Sequence, residues 1–424
     1  MSRNYLIIGG GLAAGRAVEG IRELDSRGKI TLVCEEPHLP YDRPPLSKGA
    51  LSEGVELKEI ALHTRMYYLL RRARLKLGVS VEQIAIDGSR RIARLSDGSE
   101  IEFNRCIMAT GARPRVPEIA GRELSGVSVL RSYDDAKRIH DLVAASSTAG
   151  SKKRVVIVGA GFIGLEAAAS LAKAGVEVAV VEMKGSVWPS VAPPELSAFL
   201  QAELAGLAVT FHFGSGVTAF EGSDAVEAVR LENGELLPAE LVLSAIGVAP
   251  RVELAEAAGL EVDDGIVVDE QLRTSVEGVW AAGDVASLPE HHAGRRRRLE
   301  HYGSAEATGY LAGRNAAGAG DTFSMLPYVW SDIGRLRVDI AGDETGWERT
   351  VIRGEIDGEA PRFLIFGLSG NRLVAYFSVG SSDAERSAAQ LLIKQRIDLS
   401  PIEASLSDPQ EPLQQLVQRA LSQG

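Results

Sequence analysis

Cysteine is nearly absent. The 424 residues hold two, Cys34 and Cys106, and no Cys-x-x-Cys or Cys-x-x-x-x-Cys pair exists. Both lie in apolar, strand-like runs, where a free thiol behaves as a small buried hydrophobe. Chemistry through a disulfide needs a vicinal pair or a thiol in an electropositive setting, so the chain is not expected to use one. Aromatic residues make up only 5%. No apolar run reaches the roughly 20 residues of a membrane-spanning helix. The formal net charge of −11 argues against general nucleic-acid binding. The first strand-like run starts at Tyr5, so no signal or transit peptide is expected, and the compartment read from this is the cytoplasm. His291-His292 are adjacent rather than spaced along one helix face, so no metal site is expected.

Glycine, by contrast, is plentiful at 45 residues, and its placement is informative. Gly9-Gly10-Gly11-Leu12-Ala13-Ala14 follows the apolar run Tyr5–Ile8. Gly159-Ala160-Gly161-Phe162-Ile163-Gly164 follows Val155–Val158. Each opens an Ala-rich, helix-like stretch. In a strand–loop–helix unit, glycines bring backbone N–H groups and a helix N-terminus up to a pyrophosphate. The binding positions are Gly9, Gly11 and Ala14 in the first loop, and Gly159, Gly161 and Gly164 in the second. One such loop is weak evidence; two in the right context imply two dinucleotides, most simply a flavin and a nicotinamide.

Each unit closes with an acid. Glu35 follows the predicted strand Lys29–Cys34, and Glu182 follows Val176–Val181. A carboxylate there accepts hydrogen bonds from ribose hydroxyls and repels a 2′-phosphate. Glu182 therefore favours NADH over NADPH, with Lys184 as the one nearby cation.

The rest of the chain repeats this plan. Residues 1–118 run strand, helix, strand, a Pro-rich loop and a hairpin turning at Ser96-Asp97-Gly98-Ser99. The strand Cys106–Ala109 then leads into Thr110-Gly111. Residues 151–249 repeat the order, with helix Pro194–Leu204, a hairpin at Glu232-Asn233-Gly234-Glu235, and strand Leu241–Ile246 ending at Gly247. The small polar run Ala144–Lys153 reads as a surface connection. Val279–Ala282 runs into Gly283-Asp284, which sets a carboxylate at the carboxyl edge of a parallel sheet. Residues 327–424 differ, with alternating strands Arg337–Ala341, Arg362–Gly367 and Arg372–Val379 and two terminal helices, which read as an α+β domain. Asp408–Gly424 reads as polar and frayed at its end. The run Arg295–Arg298 reads as a solvated hairpin with arginines alternating between its faces; docking of an acidic partner is the rival reading.

The segment Pro37-His38-Leu39-Pro40-Tyr41-Asp42-Arg43-Pro44-Pro45-Leu46-Ser47-Lys48 resembles the flavin loop of FAD-dependent NADH:ferredoxin reductases, which serve oxygenases and P450 systems. Thr110-Gly111, Gly283-Asp284 and Trp330-Ser331-Asp332 belong to the same pattern. The stretch Gly294–Gly313 is similar to apoptosis-inducing factor and its bacterial relatives. The resemblance implies an α/β protein with two Rossmann-like dinucleotide-binding domains in a glutathione-reductase-like arrangement, followed by a C-terminal α+β domain. The FAD domain would comprise residues 1–118 and 250–326, the NADH domain 119–249 and the interface domain 327–424.

The resemblance also implies roles. Lys48 would lie beside the flavin ring, with Arg43, Thr110, Gly111, Gly283, Asp284 and Trp330 as further FAD contacts beside Glu35. Glu166, placed on the first turn of the second helix, would contact the nicotinamide carboxamide. Phe162 would lie near the nicotinamide, with Glu300 and His301 approaching from the other side. The implied activity is hydride transfer from NADH followed by single-electron delivery to a [2Fe–2S] ferredoxin, by a monomer or homodimer. Ile333 after Asp332, and His301-Tyr302, depart from the reductase spelling. They leave two alternatives: an apoptosis-inducing-factor-like NADH oxidoreductase, and a redox-sensing dimerising flavoprotein.

Overall fold

The computed structural model describes residues 3–87, 90–145, 153–290 and 295–423. His291 and His292 lie outside the described residues, as does 146–152 of the expected surface connection. The chain divides into two compact units.

The first unit comprises Met1–Pro44, Glu56–Arg113 and Val248–Met325. Its centre is a five-stranded parallel sheet in the spatial order Val279–Ala281, Arg105–Met108, Asn4–Ile8, Lys29–Cys34, Ala73–Leu77. These strands are near-continuous runs of Val, Ile and Leu, as a sheet buried on both faces requires. The strand order reverses at Asn4–Ile8, and in open sheets of this kind ligands bind at the carboxyl ends of the strands beside such a switch point. Helix Leu12–Leu24 returns from this edge and packs along helix Tyr302–Ala317. The approach is close enough that a Cβ on Gly309 would lie 2.3 Å from the Ala13 carbonyl oxygen.

The second unit comprises Pro45–Val55, Pro114–Gly247 and Leu326–Gly424. It repeats the parallel sheet in the order Thr210–Phe213, Glu177–Glu182, Arg154–Val158, Leu241–Ser244, Val127–Val129. The duplication read from the sequence is thus a duplication of sheet topology. Glu182 is the last residue of its strand rather than the residue after it.

The same unit carries a five-stranded antiparallel sheet in the order Tyr328–Ile333, Leu336–Gly342, Arg372–Val379, Arg362–Ser369, Arg349–Glu355. The two outer strands were not expected. Tyr328–Ile333 contains Ser331 and Asp332, and Arg349–Glu355 contains Arg353, polar residues that mask the strand pattern. The Arg353 side chain is among the most buried of all, and its guanidinium donates to the carbonyls of Leu406, Asp408 and Glu411. Those bonds tie down the segment that leads into the chain's final residues. The second of the two expected terminal helices lies here, Leu413–Gln423, and its Leu413, Leu416, Val417 and Ala420 are buried with Leu392 and Phe366. Within a polar composition they keep an amphipathic spacing of three and four residues. Among the described residues, no helix is long and apolar enough to cross a membrane.

Candidate dinucleotide sites

In the first unit, Gly9 has φ 134°, and a Cβ there would sit 2.0 Å from the Ala109 carbonyl oxygen. Only glycine passes through this turn without displacing the neighbouring strand. Gly11 precedes helix Leu12–Leu24 and offers it no side-chain cap; space around its Cα is open. The helix N-terminus thus keeps unsatisfied N–H groups for an anion. Ala14 is fully buried where the third glycine of such a loop stands.

The other first-unit candidates line the same carboxyl edge. Glu35 follows strand Lys29–Cys34, and its exposed carboxylate accepts from Arg251 at 2.5 Å. Thr110 donates its hydroxyl to the Arg251 carbonyl at 2.8 Å, so Arg251 bridges two of these positions, a link the sequence did not disclose. Arg43 donates to Glu36 at 2.8 Å, and Tyr41 donates to the other oxygen of Glu36 at 2.5 Å. Gly111 and Gly283 have φ 67° and 74°, and the Gly283 N–H donates to the Thr308 hydroxyl at 2.9 Å. Asp284 lies in the turn that follows.

Glu300 accepts from Arg298, and His301 precedes helix Tyr302–Ala317 as its N-cap residue. Arg295–Arg298 pairs antiparallel with Ala286–Glu290, as a hairpin does, with Arg295 exposed and Arg296–Arg298 half-buried. Arg295 reaches Glu290, Arg296 donates to the carbonyls of Val268 and Ser287, and Arg298 reaches Asp264 and Glu300.

Both thiols are buried. Cys34 and Cys106 are 1% and 0% exposed, and burial pushes them up to about 11 and about 12. Among the described residues, no group of three or more His, Cys, Asp or Glu side chains could hold a metal ion.

The second unit repeats the cradle. Gly159 has φ 106°, Gly164 packs against the Gly159 carbonyl, and Gly161 opens helix Phe162–Lys173 into free space, again with no side-chain cap. Glu182 accepts from the backbone N–H of Ala160 at 3.0 Å and of Lys184 at 2.9 Å. The acid at the strand end is thereby pinned beside the phosphate loop. Phe162 packs against Trp188 with ring centroids 4.4 Å apart. Trp188 is 2% exposed, has φ 46°, and donates its backbone N–H to Ala160 at 3.0 Å. Trp188 was missed because it sits in a loop with no periodic pattern.

Glu166 is the fifth residue of its helix, one turn further in than expected, so proximity to the helix N-terminus does not account for it. Its carboxylate is buried in a cage drawn from two distant segments. Ser47 donates to Oε2 at 2.5 Å, Ser331 to Oε1 at 2.7 Å and the Asp332 N–H to Oε1 at 3.1 Å. Lys48 Nζ lies 3.7 Å from Oε1 and 2.7 Å from Asp332 Oδ2. Burial pushes the Glu166 carboxyl above its ordinary range, while Lys48 and the three hydrogen-bond donors pull the other way. Trp330 flanks this cage, with Lys48 5.9 Å and Arg337 5.5 Å from its ring. The family pattern pointed to Lys48, Glu166 and Trp330. Ser47 gave no signal of its own, since nothing in a serine's sequence neighbourhood reveals which distant acid it meets.

Two glycine cradles with uncapped helix N-termini, open space at Gly11 and Gly161, and an acid at each second strand's end fit two dinucleotides. Comparison with known proteins agrees. The profile of the pyridine nucleotide-disulphide oxidoreductases matches residues 3–309, and that of the reductase C-terminal domain matches residues 328–417. Rhodocoxin reductase of Rhodococcus erythropolis is 33% identical over 406 residues, which cover 96% of this chain and 92% of that one. The ferredoxin reductase component of chlorobenzene dioxygenase from Cupriavidus sp. is 34% identical over 420 residues, 98% of each chain. Putidaredoxin reductase in its covalent complex with putidaredoxin superposes with a TM-score of 0.91 at 31% identity, covering 99% of both chains. The ferredoxin reductases of this family use FAD and NAD(H), and these are the cofactors of this chain. With matches spanning both its dinucleotide folds and its C-terminal sheet, the chain belongs to the pyridine nucleotide-disulphide oxidoreductase family, as one of its flavin-dependent reductases.

Proposed function

We propose that this protein is a cytoplasmic NADH-dependent ferredoxin reductase, which takes hydride from NADH and passes single electrons to a [2Fe–2S] ferredoxin of an oxygenase or P450 system. The observation that carries the reading is the coexistence of two dinucleotide cradles with two buried thiols. With no reducible disulfide in the chain, the electrons leave for an acceptor outside it. The end-to-end likeness to reductases of P450 and dioxygenase systems supports a ferredoxin as that acceptor. When bound, FAD supplies the conversion between a two-electron donor and a one-electron acceptor.

The residues divide the work. Residues 1–118 and 250–326 form the FAD domain, with Gly9, Gly11, Ala14, Glu35, Arg43, Thr110, Gly111, Gly283 and Asp284 holding the cofactor. Residues 119–249 form the NADH domain, in which Gly159, Gly161 and Gly164 approach the pyrophosphate and Glu182 receives the ribose hydroxyls. Phe162 packs near the nicotinamide, Glu166 accepts a hydrogen bond from its carboxamide, and Glu300 and His301 complete its surroundings. Lys48 supplies positive charge toward the flavin ring, with Trp330 beside it. Residues 327–424 form the interface domain. Orientation of the donor ring, rather than any protein nucleophile, provides the acceleration.

Anaerobic stopped-flow mixing of the FAD-loaded protein with NADH, then with a [2Fe–2S] ferredoxin, tests this. The expected result is rapid bleaching followed by rapid reoxidation that slows at high salt. Bleaching that persists with a long-wavelength band and no reoxidation overturns the ferredoxin reading in favour of a redox sensor. Bleaching by NADPH but not NADH overturns the role of Glu182.

A further inference from the structure

One ammonium in the second unit serves two carboxylates, and unequally. Lys48 Nζ is 2.7 Å from Asp332 but 3.7 Å from Glu166, although the Asp332 side chain is 40% exposed and that of Glu166 only 7%. Coulomb attraction taken alone favours the opposite arrangement, because the buried site is the less screened one. Two features reverse it. Both oxygens of Glu166 already accept hydrogen bonds, from Ser47 on one side and from Ser331 and the Asp332 backbone on the other. Asp332 also contributes a full charge within contact distance of Lys48. It therefore acts twice on one buried acid: its N–H holds Oε1, and its carboxylate draws the ammonium away.

We propose that Asp332 is a positioning residue for dinucleotide binding: by drawing the Lys48 ammonium to itself, it keeps the Lys48–Glu166 ion pair, at 3.7 Å, beyond hydrogen-bond distance and leaves that carboxylate able to accept a hydrogen bond from the carboxamide N–H of a nicotinamide dinucleotide. This rests on the role given to Glu166 above. The distinction is one of exchange. A neutral serine hydroxyl rotates away as the amide donor arrives, and the carboxylate stays satisfied throughout. A contact ammonium leaves only if another group takes up its charge, because an unpaired buried charge is strongly unfavourable.

The isosteric variant Asp332→Asn keeps the backbone N–H and removes only the charge. Its affinity for NAD+ is read by calorimetry on the oxidised full-length flavoprotein, with Glu166→Gln and the double variant alongside. Asp332→Asn is expected to weaken binding roughly tenfold, Asp332→Glu to restore most of it, and a crystal structure of Asp332→Asn to show Lys48 in direct contact with Glu166. In the Glu166→Gln background, the Asp332→Asn change is expected to add nothing. If Glu166→Gln weakens binding but Asp332→Asn does not, the proposal fails and the role of Glu166 stands. Additive effects of the two changes also overturn it, since Asp332 would then act independently of Glu166. Unchanged binding in Glu166→Gln overturns the role of Glu166 itself, and the proposal with it.

Discussion

Replacing Ser331 by alanine removes one of the two hydroxyls on the buried Glu166 carboxylate. Ser331 is 1% exposed and Glu166 5%, so bulk water does not substitute for the lost donor. A hydrogen bond to an ionised group contributes about 1.5–3 kcal/mol. Its loss raises the Glu166 carboxyl further beyond the rise that burial already imposes. An acid raised in the folded state favours folding most below its unfolded value, and that contribution disappears as pH climbs through the folded value. Ser331→Ala is therefore expected to destabilise the protein by about 1.5–3 kcal/mol at pH 8 and by less at pH 5, because the further-raised carboxyl of the variant holds its proton to higher pH. Urea unfolding of wild type and variant, followed by tryptophan fluorescence at both pH values, measures the difference; groups common to both proteins cancel. An equal difference at both pH values, or one under about 0.5 kcal/mol at pH 8, refutes the view that Ser331 stabilises the ionised carboxylate.

Three further outcomes follow from the geometry. Gly9→Ala places a methyl group 2.0 Å from the Ala109 carbonyl, so the variant is expected to purify with little or no flavin absorbance; full flavin content would refute the strain argument. Glu182→Ser removes the carboxylate held by Ala160 and Lys184 and is expected to lower the NADH-over-NADPH ratio of kcat/KM by roughly tenfold or more; an unchanged ratio would place ribose selection elsewhere. With thiols pushed up to about 11 and 12, the native protein at pH 8 is expected to release no chromophore from an aromatic disulfide reagent within minutes, whereas the denatured protein releases two equivalents. Rapid reaction of one thiol in the native state would reopen a thiol-based route for the electrons.

Local chemistry made much of the fold legible. The phosphate loops, the Asp-Gly and Asn-Gly hairpin turns and the Val- and Ile-rich parallel strands carry their signal within a few consecutive residues, because turn dihedrals and side-chain periodicity are short-range properties. Where polar residues serve a distant partner, that signal failed. Arg353 lies in a strand because three carbonyls of the terminal segment satisfy its guanidinium, and the strand around it went unread for that reason.

The sequence by itself determined that the protein has two dinucleotide folds built on one plan, with an acid closing each and no pair of cysteines to relay electrons. Only the tertiary structure decided how Glu166 is held. Its partners Ser47, Lys48, Ser331 and Asp332 come from segments more than 100 residues away on either side, and their convergence depends on packing among helix Phe162–Lys173, the loop at Lys48 and strand Tyr328–Ile333. A buried charge takes its properties from whatever surrounds it in three dimensions, and no pattern along one stretch of chain encodes those surroundings.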